Sequence, residues 1–75
     1  MVRACILIRV SSGVERATVE AVKKVRGVKK AYNVFGRYDV VAFAEAPTLR
    51  GISAVSGRVN STEGIKSTET LIETR

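Results

Sequence analysis

The first apolar pattern along the chain is an alternation that predicts a β-strand. From Val2 to Val10 the even-numbered residues point one way and the odd-numbered residues point the other. Apolar residues then recur at helical spacing from Val14 to Val25, and Gly27 is a residue type that commonly ends a helix. Ser12 and Glu15 have the spacing of a capping box. A strand followed by a helix is therefore predicted.

The same reasoning predicts two more strands and a second helix. Residues 28–35 are rich in β-forming side chains, and Gly36-Arg37 is a hairpin signal that leads into a third strand at residues 38–44. Pro47 fits the first turn of a helix. The last strand is expected at residues 65–72. The apolar stripe of the second helix consists of Leu49, Ile52, Val55 and Val59.

The predicted order is βαββαβ, and a weak internal repeat supports it. Residues 25–29 resemble residues 62–66, so Gly27 in the first half of the chain corresponds to Gly64 in the second. Two such halves with right-handed crossovers interleave into one four-stranded antiparallel sheet with two helices on one face. We therefore expect a single α+β domain over residues 1–75, of the ferredoxin-like split βαβ type.

The sheet face away from the helices is also predicted to be apolar. Cys5 and Leu7 share that side of the first strand, and residues 40–44 are apolar on both sides. A contiguous apolar sheet face on a small domain marks an interface. With 75 residues, one cysteine and no histidine, the chain has neither an internal disulfide nor a histidine metal site to reinforce a small core. We expect a homodimer that forms through the sheet.

Composition also argues against catalysis and against membrane insertion. Without histidine, Ser–His and Cys–His nucleophile pairs cannot form, and no Gly-rich phosphate loop is present. We expect no enzymatic activity, no cofactor and no metal. No apolar run approaches the roughly 18 residues of a membrane span, and the N-terminus does not have the pattern of a signal peptide. The expected location is cytoplasmic.

The net charge of +6 allows a polyanionic partner. Its densest part is a cluster that consists of Lys23, Lys24, Arg26, Lys29 and Lys30. One interpretation is a solvated helix end, where cations complement the helix dipole. The other is a nucleic-acid surface, although the aromatic partners that stack bases are missing. We expect no specific DNA binding from this cluster.

Two segments carry candidate ligand chemistry. In the first, Gly36, Arg37, Tyr38 and Asp39, glycine leaves backbone N–H groups open, and the carboxylate suits an ammonium. A turn in which Asp39 bonds nearby backbone is the structural alternative. In the second segment, Thr68 and Thr70 share one strand face. Their hydroxyls can hold a carboxylate or amide, but threonine also favours strands by β-branching alone.

Three segments resemble the effector-binding (RAM) domain of Lrp/AsnC transcription regulators: residues 25–28, 34–39 and 63–70, in this order across nearly the whole chain. The resemblance implies a domain that dimerises through its sheet and assembles further, commonly as an octamer ring of four dimers. It also implies an amino acid effector in the cleft between dimers. The residues at Gly36, Arg37, Tyr38, Asp39, Thr68 and Thr70 would hold that effector.

The family's helix-turn-helix domain is not expected within residues 1–75. The sequence therefore predicts a free-standing amino-acid effector-binding and oligomerisation module. It would modulate transcription or amino-acid metabolism through protein association, with full-length relatives among the candidate partners. Two alternatives stay open: a basic nucleic-acid-binding protein that uses the Lys23 to Lys30 cluster, and a purely structural oligomeriser.

Overall fold

The structure is a computed structural model that describes residues 1–73. Its elements are β1 (Val2–Val10), α1 (Glu15–Lys23), β2 (Val28–Asn33), β3 (Val40–Ala46), α2 (Leu49–Asn60) and β4 (Ile65–Ile72). The four strands form one antiparallel sheet in the order β2-β3-β1-β4. The predicted βαββαβ order and the ferredoxin-like architecture, with two helices on one face of the sheet, are confirmed.

The core lies between one face of the sheet and the two helices. The even-numbered residues of the central strands β1 and β3 are buried on that face, from Ala4 to Val10 and from Val40 to Ala46. The helices contribute the buried side chains Thr18, Val19, Val22, Ile52, Val55 and Val59. Burial of a valine or isoleucine side chain stabilises the fold by about 1.5–3 kcal/mol, so this single layer of contacts is the main source of stability.

The start of α1 differs from the predicted capping box. The helix begins at Glu15, and its N-cap is Val14, which has no side-chain cap. The Glu15 carboxylate accepts a hydrogen bond from the N–H of Gly13 at 3.1 Å. Gly13 has a φ of +89°, and this left-handed turn separates Ser12 from the first helical residue. The prediction that Ser12 caps the helix was therefore wrong.

The connection between β2 and β3 is longer than the predicted two-residue hairpin. β2 ends at Asn33 and β3 begins at Val40, so residues 34–39 form a loop. The beginning of α2 also differs, because the N-cap is Thr48, whose hydroxyl accepts from the N–H of Gly51 at 3.0 Å. Pro47 therefore precedes the helix and does not lie in its first turn.

The two repeated glycines occupy equivalent turns. Gly27 has a φ of +100° and Gly64 a φ of +94°, a backbone conformation that favours glycine. A Cβ atom on Gly27 would lie 2.5 Å from a methyl carbon of Val55 in α2, and one on Gly64 would lie 2.5 Å from the hydroxyl of Thr18 in α1. Each turn thus packs against the helix of the other half.

The face of the sheet opposite the helices, here called the outer face, carries a band of apolar side chains across all four strands. Strand pairing sets Cys5 beside Phe43 and Leu71, and Val41 beside Tyr32 and Leu7. The rings of Tyr32 and Phe43 lie 6.0 Å apart, and both remain 40% exposed or more. Cys5, Leu7 and Val41 of this band are half-buried, and Leu71 is 49% exposed. Neither helix of residues 1–73 is long and apolar enough to cross a membrane.

The glycine turns lead to a stability prediction. Gly27→Ala should destabilise the protein by about 1–3 kcal/mol more than Gly13→Ala, because only the first substitution also forces a methyl group into Val55. Both positions have positive φ, and a Cβ on Gly13 would meet nothing within 4 Å. The Gly13 variant therefore isolates the backbone strain. Urea unfolding at one protein concentration measures the difference, and equal losses in the two variants would disprove the packing contact.

Candidate functional site

Asp39 attaches the loop of residues 34–39 to the end of the central strand β1. Its N–H donates to the carbonyl of Ile8 at 2.9 Å, and its carboxylate oxygen Oδ2 accepts from the N–H of Val10 at 2.8 Å. Its own carbonyl accepts from the N–H of Val34 at 3.0 Å. The predicted local role of Asp39, hydrogen bonding to nearby backbone, is present. It is not the only role that the geometry allows.

The loop keeps a row of hydrogen-bond donors free. The backbone N–H groups of Gly36, Arg37 and Tyr38 donate no hydrogen bond to any part of residues 1–73. Gly36 has a φ of +123°, and a Cβ there would meet nothing within 4 Å, so the loop is open to a ligand on this side. The Arg37 side chain is exposed beside them. These groups can receive an anion such as a carboxylate.

An acceptor follows these donors in the chain. The second carboxylate oxygen of Asp39, Oδ1, accepts no hydrogen bond from residues 1–73, and the side chain is only partly buried. It borders a depression of about 330 Å³ that is lined by Glu15, Asn33, Val34, Phe35 and Asp39. A carboxylate oxygen in this position can receive an ammonium group. Donors and acceptor thus follow one another within four residues.

Tyr38 links the loop to the opposite edge of the sheet. Its hydroxyl donates to the Glu69 carboxylate of β4 at 2.6 Å. This hydrogen bond, followed by desolvation and the negative charge of Glu69, raises the pKa of the Tyr38 phenol above its ordinary value. Tyr38 therefore stays protonated and acts as a donor. Its side chain positions the loop and leaves the backbone N–H free.

Thr68 and Thr70 face α2 and are engaged there. The hydroxyl of Thr70 lies 2.5 Å from the hydroxyl of Ser56, and Thr68 donates to the side-chain oxygen of Asn60 at 3.3 Å. Both threonines are half-buried on the edge strand β4. The shared strand face that the sequence indicates is present, and each hydroxyl has a partner within the chain. Each hydroxyl also keeps further hydrogen-bonding capacity.

The structure brings Gly36, Arg37, Tyr38 and Asp39 together but keeps them apart from the threonines. Asp39 is bonded to Ile8 on one side of β1, and Thr68 pairs with Ile8 on the other side. Two strand spacings amount to about 10 Å, more than the distance between the ammonium and carboxylate of an amino acid. Within one chain, the loop and the threonines are two separate groups.

Four residues that line the depression beside Asp39 were not predicted from the sequence. Val34 and Phe35 lie in the loop because β2 stops at Asn33, and the Phe35 side chain is fully exposed. Asn33 could have indicated that β2 ends here, since asparagine favours turns and is rare in the interior of strands. Glu15 was assigned to helix capping alone, but it also reaches this depression.

Neither a metal-binding cluster nor a reactive thiol lies at the loop within the described residues. Within residues 1–73 no three acidic or cysteine side chains lie close enough together to hold a metal ion. Burial raises the pKa of the Cys5 thiol, which lies on the outer face away from the loop. A protonated thiol is a poor nucleophile. The loop instead presents free backbone N–H donors and one free carboxylate oxygen.

A family model and solved structures match nearly the whole of this chain. A family model described as the Lrp/AsnC ligand-binding domain matches residues 3–75. The crystal structure of TTHA0845 from Thermus thermophilus superimposes with a TM-score of 0.93 at 33% identity, over 100% of this chain and 95% of that one. A search of curated proteins gave no match.

Two structures of larger proteins share the fold. For AsnC of E. coli the TM-score is 0.88 at 22% identity, and for the regulator NMB0573 of Neisseria meningitidis, solved with L-Met, it is 0.83 at 18% identity. Each match covers 99% of this chain but only 51% and 50% of the respective regulator. The chain therefore corresponds in fold to about half of each regulator.

The role of Asp39 as an anchor can be tested by its effect on stability. Asp39→Ala should lower the free energy of unfolding by about 1–2 kcal/mol, because the N–H of Val10 loses its acceptor. Asp39→Asn keeps an amide oxygen in place and should remain within about 0.5 kcal/mol of the native protein. Urea denaturation compares the three proteins. If the alanine variant is as stable as the asparagine variant, the hydrogen bond to Val10 contributes nothing.

Proposed function

This chain belongs to the family of Lrp/AsnC ligand-binding domains, and we propose that it binds a free amino acid as its effector. On this proposal it modulates transcription or amino-acid metabolism by associating with other proteins, among them full-length relatives. It acts as a binding and oligomerisation module and carries out no reaction.

The observation that carries this proposal is the arrangement of unused hydrogen-bonding groups in the loop. The free N–H groups of Gly36, Arg37 and Tyr38 suit a carboxylate, and Oδ1 of Asp39 suits an ammonium. A free amino acid presents these two groups a few bonds apart. A metabolite that has only one of them would leave half of the loop's groups unpaired, which is costly where water is excluded.

The L-Met complex of NMB0573 supports an amino acid as the ligand class. That regulator is only 18% identical to this chain, so the likeness itself is one of fold. The depression beside Asp39 is lined by Val34 and Phe35, which gives an amino acid side chain an apolar surface to pack against.

We place the complete site between subunits. The loop and the threonines of one chain are about 10 Å apart, so a single chain offers two incomplete groups. A second copy that brings Thr68 and Thr70 against the loop would join them and exclude water from the ligand. Such an arrangement between dimers leads to a ring, for which four dimers is the expected number. Phe35, fully exposed next to the ligand groups, would be covered in the same contact.

The dimer itself is proposed to form through the outer face. The band of Cys5, Leu7, Val41, Phe43 and Leu71 is continuous across neighbouring strands. It adjoins a shallow depression of about 610 Å³ that also includes Tyr32. Two such faces packed together would form a second apolar layer, comparable to the core beneath the helices.

This dimer leads to a test by substitution. Phe43→Glu and Leu7→Glu should each convert the dimer to a monomer, because an unpaired charge buried in the interface costs several kcal/mol. Ala17→Glu puts the same charge on an exposed position of α1 and should leave the dimer intact. Sedimentation velocity at micromolar concentration separates the species. Native protein that sediments as an 8.1 kDa monomer would rule out the dimer.

Effector binding leads to a second test. A thermal-shift screen of the common amino acids should identify one that stabilises the protein, and calorimetry then gives its affinity. Asp39→Asn should weaken binding by about tenfold to a hundredfold, since one charge-assisted hydrogen bond contributes about 1.5–3 kcal/mol. Thr70→Val keeps the side-chain shape and should cost about 1 kcal/mol.

The controls for this test are matched in charge. Asn at position 39 preserves the bond to Val10, so a weaker affinity reports the lost charge. Glu20→Gln removes one carboxylate from an exposed position of α1 and should bind as the native protein does. Ligand should also stabilise the larger assembly if the site lies between dimers. An Asp39→Asn protein that binds with native affinity would refute the site, and a screen in which no amino acid stabilises the protein would refute the function.

A further inference from the structure

One end of the molecule carries a concentration of positive charge that effector binding does not use. Its five side chains come from the end of α1, the following turn, the start of β2 and the last turn of α2, and all five are exposed. They form what is here called the basic surface: Lys24, Arg26, Lys29, Lys30 and Arg58. The guanidinium of Arg58 donates to the backbone carbonyl of Arg26 at 3.3 Å, which joins α2 to the turn and brings two arginines to the same place.

These charges are not neutralised within the described part of the chain. The two ion pairs found in residues 1–73 join Arg3 to Glu73 and Lys23 to Glu20, and neither involves the basic surface. Only one further carboxylate, that of Glu45, borders the same depression as Lys29 and Lys30. The basic surface therefore keeps a local charge of about four positive units, most of the net +6 of the chain.

Structural roles explain only part of this arrangement. Lys24 and Arg58 lie at helix C-termini, where cations complement the helix dipole. Lys29 and Lys30 lie on the edge strand β2, and lysine on an edge strand prevents pairing with other chains. Arg26 has neither role: its side chain is exposed in the turn between α1 and β2. Its presence among the other four cations points to a partner.

The chemistry of the basic surface favours phosphates over an acidic protein. No exposed large apolar residue lies within residues 23–30, although Lys29 and Lys30 border the depression that also includes Tyr32 and Phe43. Protein interfaces rely on buried apolar and aromatic anchors and are depleted in lysine. Phosphate backbones are instead bound by lysine and arginine through counterion release, without any apolar contact.

We infer that the basic surface binds the phosphate backbone of nucleic acid, without reading its sequence. No element of the basic surface projects as an arm or recognition helix toward base edges, so contacts are limited to phosphates. This activity goes beyond effector binding and uses different residues. A ligand-sensing domain with such a surface could remain near DNA while its effector site controls its assembly.

The test measures the salt dependence of binding to a labelled duplex of random sequence by fluorescence anisotropy. Five phosphate contacts give a slope of up to about −4.5 per chain in a plot of log affinity against log salt. Arg26→Gln combined with Lys29→Gln should reduce the steepness by about 2 and weaken binding at least about tenfold at 0.1 M salt. Arg16→Gln combined with Lys66→Gln removes the same charge from exposed positions outside the basic surface and should retain the native slope.

Several results would overturn the inference. Equal weakening in the two double variants would mean that net charge alone attracts DNA. A preference among duplexes of different sequence would require contacts to bases. An acidic peptide of matched charge that binds as tightly as the duplex would assign the basic surface to a protein partner. If loss of Lys29 causes aggregation, Lys24→Gln combined with Arg26→Gln tests the same slope without altering the edge strand.

Discussion

The small core of this chain lies between one face of a four-stranded sheet and two short helices. Both helices pack on that face, so neither covers the other face of the sheet. The strands alternate in side-chain direction, so every buried residue of β1 and β3 has neighbours that point outward. Those neighbours include Leu7, Val41 and Phe43. On the proposed function, a second copy that covers these partly exposed residues would add to the stability of a chain of this length. The proposed dimer, the effector site between dimers and the ring all derive from this one-sided coverage.

Asp39 connects the fold to the proposed ligand chemistry. One carboxylate oxygen holds the end of β1, and the other remains available beside the free N–H groups of the loop. Because the same side chain would serve both purposes on the proposed function, an alanine substitution cannot separate ligand binding from stability. Asparagine can, since it preserves the acceptor and removes only the charge.

Much of the fold was predictable because alternation and helical spacing are set by burial on a single face. The bounds of β1 and β4 follow from that pattern, as do the buried residues Ile52, Val55 and Val59 of α2. Leu49, predicted as part of the same stripe, is 57% exposed because it lies at the first turn of the helix. The errors arose where backbone geometry dominates: Gly13 turns the chain before α1, and Asp39 holds a six-residue loop where a tight hairpin was expected. The depression beside Asp39 could not be foreseen, because it brings Glu15, at the start of α1, against residues 33–39, which are distant in the sequence. The engagement of Thr68 and Thr70 by α2 likewise depends on the packing of distant residues.

The glycine turns have a further consequence for how the chain folds. Gly27 of the first half packs against Val55 of the second half, and Gly64 of the second half packs against Thr18 of the first. The sheet order β2-β3-β1-β4 also interleaves strands from the two halves. Neither half can therefore bury its own turn or complete its own sheet. Although the sequence carries a weak internal repeat, we expect the two halves to fold as one cooperative unit, because each needs the other to bury its turn and complete its sheet.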